Sequence, residues 1–229
     1  MVNWDKIFAA IQKINTPFPL PYVTEMSLDH ARDPYKRAFL VLISTVISLR
    51  TKDKVTKEAS ERLFKIADDV EKLSALPEKQ VADAIYPCGF YNTKAKQILQ
   101  IVKIIIEKYD GKVPNDIDEL TKLPGVGRKT ANLVLTEGYD KDGICVDVHV
   151  HRILNRLGVI KTKSPDETET VLREILPKKY WKKINLWLVT FGQNFCKPVG
   201  PRCGECALNT TCGYATSTLP VYTKDAHQR

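Results

Sequence analysis

The chain contains no apolar run long enough to cross a bilayer. Its longest wholly apolar stretch, Ala38 to Ile43, falls far short of the roughly 18 to 20 residues that a membrane span requires. The opening Met1-Val2-Asn3-Trp4-Asp5-Lys6 lacks the charged-then-apolar order of a signal peptide, and no Arg-rich, acid-poor transit segment follows. A cytoplasmic protein, nucleoid-associated in a prokaryote, is expected. Cysteine is scarce and unevenly placed: Cys88 and Cys145 stand alone, while Cys196, Cys203, Cys206 and Cys212 crowd near the C-terminus. A disulfide framework would spread its cysteines through a small secreted domain. No internal repeat of fixed period occurs, and strand-like alternation is confined to Val146, Val148 and Val150. Disorder is equally excluded, because 43% hydrophobic and 27% charged residues are close to the averages of soluble globular chains.

What is present is length, basic charge and helical periodicity. The 229 residues allow one large domain or two small ones. Lys and Arg number 35 against 27 Asp and Glu, a net charge of +8 that favours polyanionic partners through counterion release. Nucleic acid leads among those partners, but charge alone does not decide. Trp4, Ile7, Phe8 and Ile11 share one helical face, as do Ile98, Ile101, Val102, Ile105 and Ile106. Tyr35 to Leu49 is apolar almost all round and reads as a central buried helix. Further helices are predicted over 52–64, 78–85, 93–109, 166–176 and 180–195. Val150, Ile153, Leu154 and Leu157 also sit at helical spacing, so the valine alternation is read instead as a helix capped by Asp147 and ending near Gly158. Pro17, Pro19 and Pro21, and the loop from Gly138 to Gly143, mark the joints. Thr216 to Arg229 carry no pattern and are expected to fray.

Two amphipathic stretches meet across Leu123-Pro124-Gly125-Val126-Gly127-Arg128-Lys129-Thr130-Ala131, a helix-hairpin-helix signature. Gly125 and Gly127 allow close approach of the backbone. The amides opening the second helix, with its dipole, suit an anion such as a DNA phosphate. Backbone donors read no base, so binding here is sequence-independent. An ordinary helix connection with a glycine cap is the plainer alternative, but Leu123 before the turn and Arg128-Lys129 after it favour DNA. Lys129 lies in the first helical turn, where the dipole disfavours an ammonium and favours a nucleophilic neutral amine; position alone does not separate it from a surface lysine. A helix over 128–136 rises about 13 Å. The residues from 137 to 146 can span up to about 33 Å, so Asp147 can return beside Lys129.

Cys196, Cys203, Cys206 and Cys212 are spaced C-x6-C-x2-C-x5-C. Four thiolates suit zinc or an iron-sulfur cluster, and a single close pair gives a modest preference for a cubane. Lys197 and Arg202 flank these cysteines, either as a solvated rim or as side chains held toward a phosphate backbone.

Taken together, the hairpin from Leu123 to Ala131, Val146-Asp147-Val148-His149-Val150 and the four-cysteine loop resemble the endonuclease III family of DNA glycosylases. So do Ile47-Ser48-Leu49-Arg50-Thr51-Lys52-Asp53 and Gly89-Phe90-Tyr91-Asn92-Thr93-Lys94-Ala95, which are similar to its two DNA-wedge loops. The resemblance runs roughly from Asp33 to Cys212. It implies an all-α, two-lobed helical fold: a six-helix barrel over 31–136 ending in the hairpin, and a discontinuous domain of 1–30 and 137–229 with the cluster loop at 196–212. It further implies a monomer acting on double-stranded DNA with damaged bases or abasic sites, Lys129 as nucleophile, Asp147 as its partner, and a [4Fe-4S] cluster on the four cysteines. Gly125, Val126, Gly127, Arg128, Arg50, Phe90, His149, Lys197 and Arg202 are the expected DNA contacts. The chain departs from the family where Arg50 stands for a common glutamine, Phe90 for an aliphatic wedge and Val148 for a frequent threonine. Arg50 could bond an orphaned base or a phosphate, Phe90 could stack in the gap or pack in the core, and His149 could serve the helix start instead.

The activity implied is bifunctional: release of oxidised or ring-saturated pyrimidines, then abasic-site lyase cleavage. Mismatch-type glycosylases are similar but typically lack the hairpin lysine. A non-catalytic hairpin module with structural zinc leaves Lys129 and Asp147 unexplained, and an electron carrier leaves the hairpin unexplained.

Overall fold

The computed structural model describes residues 2–30 and 32–218. Among these residues there is no strand. In chain order the helices are α1 (Trp4–Asn15), α2 (Tyr22–Asp29), α3 (Pro34–Ser48), α4 (Asp53–Ile66), α5 (Val70–Ser74), α6 (Glu78–Ile85), α7 (Tyr91–Tyr109), α8 (Ile117–Thr121), α9 (Arg128–Leu133), α10 (Val148–Leu157), α11 (Pro165–Ile175), α12 (Ile184–Asn194) and α13 (Gly213–Thr218). None of them is long and apolar enough to cross a membrane. The expectation for the tail lies, after Thr218, outside the described residues. Packing separates two units. The hairpin unit takes Leu20–Cys145 and Pro177–Lys182; the cysteine unit takes the residues before Leu20, Val146–Leu176 and the chain from Lys183 onward.

The hairpin unit is built on α3. The Asp33 carboxylate accepts the Tyr35 and Lys36 amides, and Pro34 sits in the first turn, where its missing N–H costs nothing. From Ala38 to Ile47 every residue is buried, and α2, α4, α7 and α9 pack around that helix. Each buried Leu, Ile, Val or Phe contributes about 1.5–3 kcal/mol. In α7, Ile98, Ile101, Val102 and Ile105 face inward as the periodicity predicts, but Ile106 is 41% exposed, lying just past the edge of that face. Helix α2 packs on α3 and α4, the turn after α9 also packs on α3, and packing seams fall at 19/20 and 145/146.

Two predicted helices end or begin elsewhere. The helix expected over 128–136 stops at Leu133 and widens into a π-turn, Val134–Gly138. There the Thr136 hydroxyl donates to the Asn132 carbonyl at 3.0 Å, the Tyr139 amide reaches back to Val134 at 3.2 Å, and Gly138 lies against the Ala38 backbone. The helix expected over 180–195 starts at Ile184, after a 3-10 turn at Lys178–Tyr180, because residues 177–182 belong to the hairpin unit, where Lys182 Nζ donates to the Asp140 carbonyl at 2.6 Å.

In the cysteine unit α1 packs on α12, α12 on α10, and α10 on α11 and α13. Trp4, Phe8 and Ile11 are buried, with Trp4 stacked on Phe8 at 5.5 Å and Phe8 against Trp187 at 5.2 Å. Trp4 Nε1 donates to the Ile175 carbonyl at 3.2 Å, joining residues 171 apart in sequence. As predicted, α10 is capped by Asp147 and ends at Gly158, whose φ of 76° is the left-handed cap conformation.

Candidate functional site

Buried Leu123 and Val126 pin the hairpin between α8 and α9, and the Val126 amide donates to the Leu123 carbonyl at 3.1 Å. Gly125 has φ 67°, and a Cβ there would stand 2.2 Å from Gln97 Nε2, which itself donates to the Pro124 carbonyl at 2.9 Å. The left-handed φ therefore favours glycine at 125, and any side chain there would also displace the Gln97 amide. Gly127 differs: its φ of −89° suits any residue, and a Cβ would meet nothing within 4 Å. Gly125, Gly127, Arg128 and Lys129 are exposed, with Lys129 in the first turn of α9. Thr130, Ala131 and Asn132 anchor that helix by burial, and the Cys145 thiol donates to the Lys129 carbonyl at 3.5 Å.

The two loops singled out at 47–53 and 89–95 meet in the same unit. Arg50 and Phe90 both adopt left-handed backbone, φ 53° and 59°, which costs non-glycine residues about 1–2 kcal/mol each. The Arg50 guanidinium lies 5.6 Å from the centroid of the Phe90 ring, a cation–π distance, and Phe90 is 63% exposed rather than packed in the core. A Cβ on Gly89 would sit 2.7 Å from the Arg50 carbonyl oxygen. Behind them Lys94, 4% exposed, donates from Nζ to the carbonyls of Ile47 and Leu49 at 2.6 Å and to Thr51 Oγ1 at 2.9 Å. Burial pushes the Lys94 ammonium below its usual pKa, while Cys88 works against that shift.

In the cysteine unit Asp147 is buried, and its Oδ1 accepts the His149 and Val150 amides at 2.8 and 3.0 Å. Val148 beside it is 63% exposed. The His149 ring turns toward α12, where a Cβ on Gly192 would stand 2.4 Å from Nδ1, and that nitrogen lies 3.2 Å from Arg152.

Cys196, Cys203, Cys206 and Cys212 line one pocket, closed on its apolar side by Phe191 and Phe195 and flanked by Arg156 and Tyr214. The space, open mouth included, is about 390 Å³. Arg156 donates to Cys196 Sγ at 3.5 Å and to the Lys197 carbonyl at 2.7 Å, and it stacks on Tyr214 at 4.4 Å. Burial, most of all, pushes the Cys203 and Cys206 thiols up, and the neighbouring cysteines push the same way. Positive charge among the sulfurs would reverse that penalty, so the donor set fits a cationic group. Among the described residues no three His, Cys, Asp or Glu side chains are grouped to hold a single ion. Lys197 is exposed, whereas Arg202 is engaged by Glu205 through Nε at 3.1 Å and lies over the Phe195 ring at 5.1 Å.

Sequence reasoning gave no role to Gln97, Lys94 or Arg156. Lys94 carried a readable signal: it precedes Ile98, Ile101 and Ile105 on the buried face of α7, where a lysine needs a partner. Gln97 and Arg156 bond backbone carbonyls of distant segments, which no spacing rule reveals.

Comparison with known proteins gives concordant matches. Residues 43–178 match the HhH-GPD superfamily of base excision DNA repair proteins. Endonuclease III of Thermotoga maritima is 48% identical over 176 residues, 77% of this chain and 83% of the relative. Endonuclease III-like protein 1 of Gallus gallus is 39% identical over 217 residues, 92% of this chain and 77% of the relative. A trapped endonuclease III–DNA covalent intermediate, an estranged-adenine complex, matches with a TM-score of 0.78 at 32% identity, covering 95% of this chain and 99% of that one.

Proposed function

Because the chain belongs to the HhH-GPD superfamily of base excision DNA repair proteins, and within it to the endonuclease III family, we propose that it is a bifunctional glycosylase and abasic-site lyase. Its substrate is duplex DNA carrying oxidised or ring-saturated pyrimidines, met in the cytoplasm. The observation that carries this reading is Lys129 itself, an exposed amine in the first turn of α9. It stands two residues after Gly127, a glycine that no neighbour among the described residues requires. A glycine with open space above it serves close approach from outside, which suits a phosphate bound by the hairpin amides.

The lesion nucleotide must leave the stack, since a stacked base hides C1′. Arg50 and Phe90 are the pair to enter the vacated space, Phe90 by stacking and Arg50 by hydrogen bonding the orphaned base. The Lys129 amine then forms a bond to C1′ while the bond from C1′ to the base nitrogen breaks and the base departs with its electron pair. Asp147 takes the proton that Lys129 must lose and stabilises cationic character on the sugar. Ring opening leaves a Schiff base, whose acidified C2′ proton is removed as the 3′ phosphate is eliminated. Arg128 supports the phosphate backbone. His149 and Lys197 are secondary contacts, and Arg202, with Glu205 already beside it, adds least net charge.

Cys196, Cys203, Cys206 and Cys212 would hold a [4Fe-4S] cluster. Single-ion zinc would need the four sulfurs within about 4 Å of one another, given Zn–S bonds near 2.3 Å, whereas a cubane interposes irons and sulfides between them. The cluster would supply a fold-holding staple for the loop that carries Lys197.

Borohydride trapping tests the whole reading. Incubation with duplex DNA bearing thymine glycol, followed by reduction, is expected to yield a covalent adduct that Lys129→Gln abolishes while DNA binding persists. No adduct from thymine glycol or from an abasic site, despite tight binding, overturns it in favour of a monofunctional glycosylase or a binding module.

A further inference from the structure

Lys94 is buried, carries three donor protons and finds three acceptors: the Ile47 and Leu49 carbonyls and Thr51 Oγ1. Two of these are carbonyls at the C-terminal end of α3, which has Leu49 as its cap and whose last carbonyls have no partner within the helix. A cation at that end also meets the negative pole of the helix dipole, and no carboxylate is needed to hold it. The acceptors at 49 and 51 bracket Arg50, whose left-handed backbone has to be imposed from outside. At the other end of the same residue, the Lys94 amide donates to the Phe90 carbonyl at 2.9 Å. One lysine thus ties the loop presenting Arg50 to the helix start presenting Phe90, and Gly89 lets the two backbones touch.

We propose that Lys94 is a positioning residue for lesion exposure: through its three hydrogen bonds it sets Arg50 beside Phe90 as a single, preformed gap-filling element before DNA arrives. This rests on the gap-filling role proposed for Arg50 and Phe90. It follows that Lys94 governs steps requiring a nucleotide to be held out of a duplex, and has far less bearing on steps that do not. Lys94→Met keeps the length of the side chain and removes every donor. Gly89→Ala leaves Lys94 in place but puts a methyl 2.7 Å from the Arg50 carbonyl, so it disturbs the same juncture without placing an unsatisfied group in the core.

The test compares both variants with the unmodified protein, each first checked for iron absorbance and a cooperative melt. Three readouts are taken: base release from a thymine glycol duplex, nicking of an abasic site in single-stranded DNA, and fluorescence of 2-aminopurine placed opposite an abasic analogue. Duplex base release is expected to fall by roughly tenfold or more, the single-strand reaction to fall much less, and the 2-aminopurine signal on binding to be lost. In the Arg50→Ala background, Lys94→Met is expected to add little, because the two act through one contact. Equal losses on duplex and single strand, or full additivity with Arg50→Ala, would make Lys94 merely structural and overturn the inference. Normal duplex activity and fluorescence in folded Gly89→Ala and Lys94→Met would overturn it as well. The reading beneath it fails separately: it falls if Arg50→Ala and Phe90→Ala themselves leave duplex activity and fluorescence unchanged.

Discussion

The Asp147 carboxylate holds the first turn of α10 by accepting two amides, at 2.8 and 3.0 Å, through one oxygen. Asparagine caps a helix as well as aspartate does, while alanine in that position costs about 1 kcal/mol. Substitution can therefore separate capping from chemistry. Asp147→Asn is expected to leave the melting temperature and the cluster absorbance in place while base release falls on the order of 100-fold or more, the range general acid–base catalysis supplies. Single-turnover base release and a thermal melt on the same preparation check this. Undiminished release would remove Asp147 from the mechanism and leave it a cap alone. Gly125 and Gly127 make a similar contrast on the hairpin. The first is favoured by its positive φ; the second is left open to the outside.

Among the elements, the π-turn Val134–Gly138 decides how α9 is seated, because it carries the chain from the hairpin helix onto α3. A Cβ on Gly138 would lie 2.9 Å from the Ala38 Cα, and backbone cannot swing aside as a side-chain tip does. Gly138→Ala is accordingly expected to cost about 1–3 kcal/mol of stability, the usual penalty for overpacking, read as a lower denaturant midpoint with an unchanged slope. An unchanged midpoint would show that α3 and the turn are not in such close contact. Elements like α3, α7 and α10 were legible in the sequence because apolar period, cap and stop agree: Asp33 with Pro34 opens α3, and Asp147 and Gly158 bound α10. The π-turn was not legible, since its cause is the approach of Ala38 from far away in the chain. The break before α12 was hidden for the same reason, as Lys182 is drawn to Asp140. Of the candidate site, the hairpin glycines, Lys129, Asp147 and the four cysteines could be named from spacing. That Arg50 and Phe90 stand 5.6 Å apart could not, because neither loop reveals its backbone conformation and the lysine that joins them lies on a helix face.

For the molecule as a whole, the four cysteines are drawn from a single loop, yet they close one pocket with α10 and α12, through Arg156 and Phe191. Cys203→Ser is expected to abolish the visible absorbance of bound iron and to weaken binding to undamaged duplex DNA, as measured by anisotropy. Retained iron together with retained affinity would refute the staple. The connectivity sets an order of events during synthesis. The hairpin unit is nearly continuous in sequence, from Leu20 to Cys145, so its core can form while the ribosome is still working. Helix α1 has no such partner at hand: Trp4 waits for Ile175, 171 residues further on, and Phe8 for Trp187. The apolar face of α1 therefore emerges well before its cover and stays exposed to chance encounters until α11 and α12 have been made.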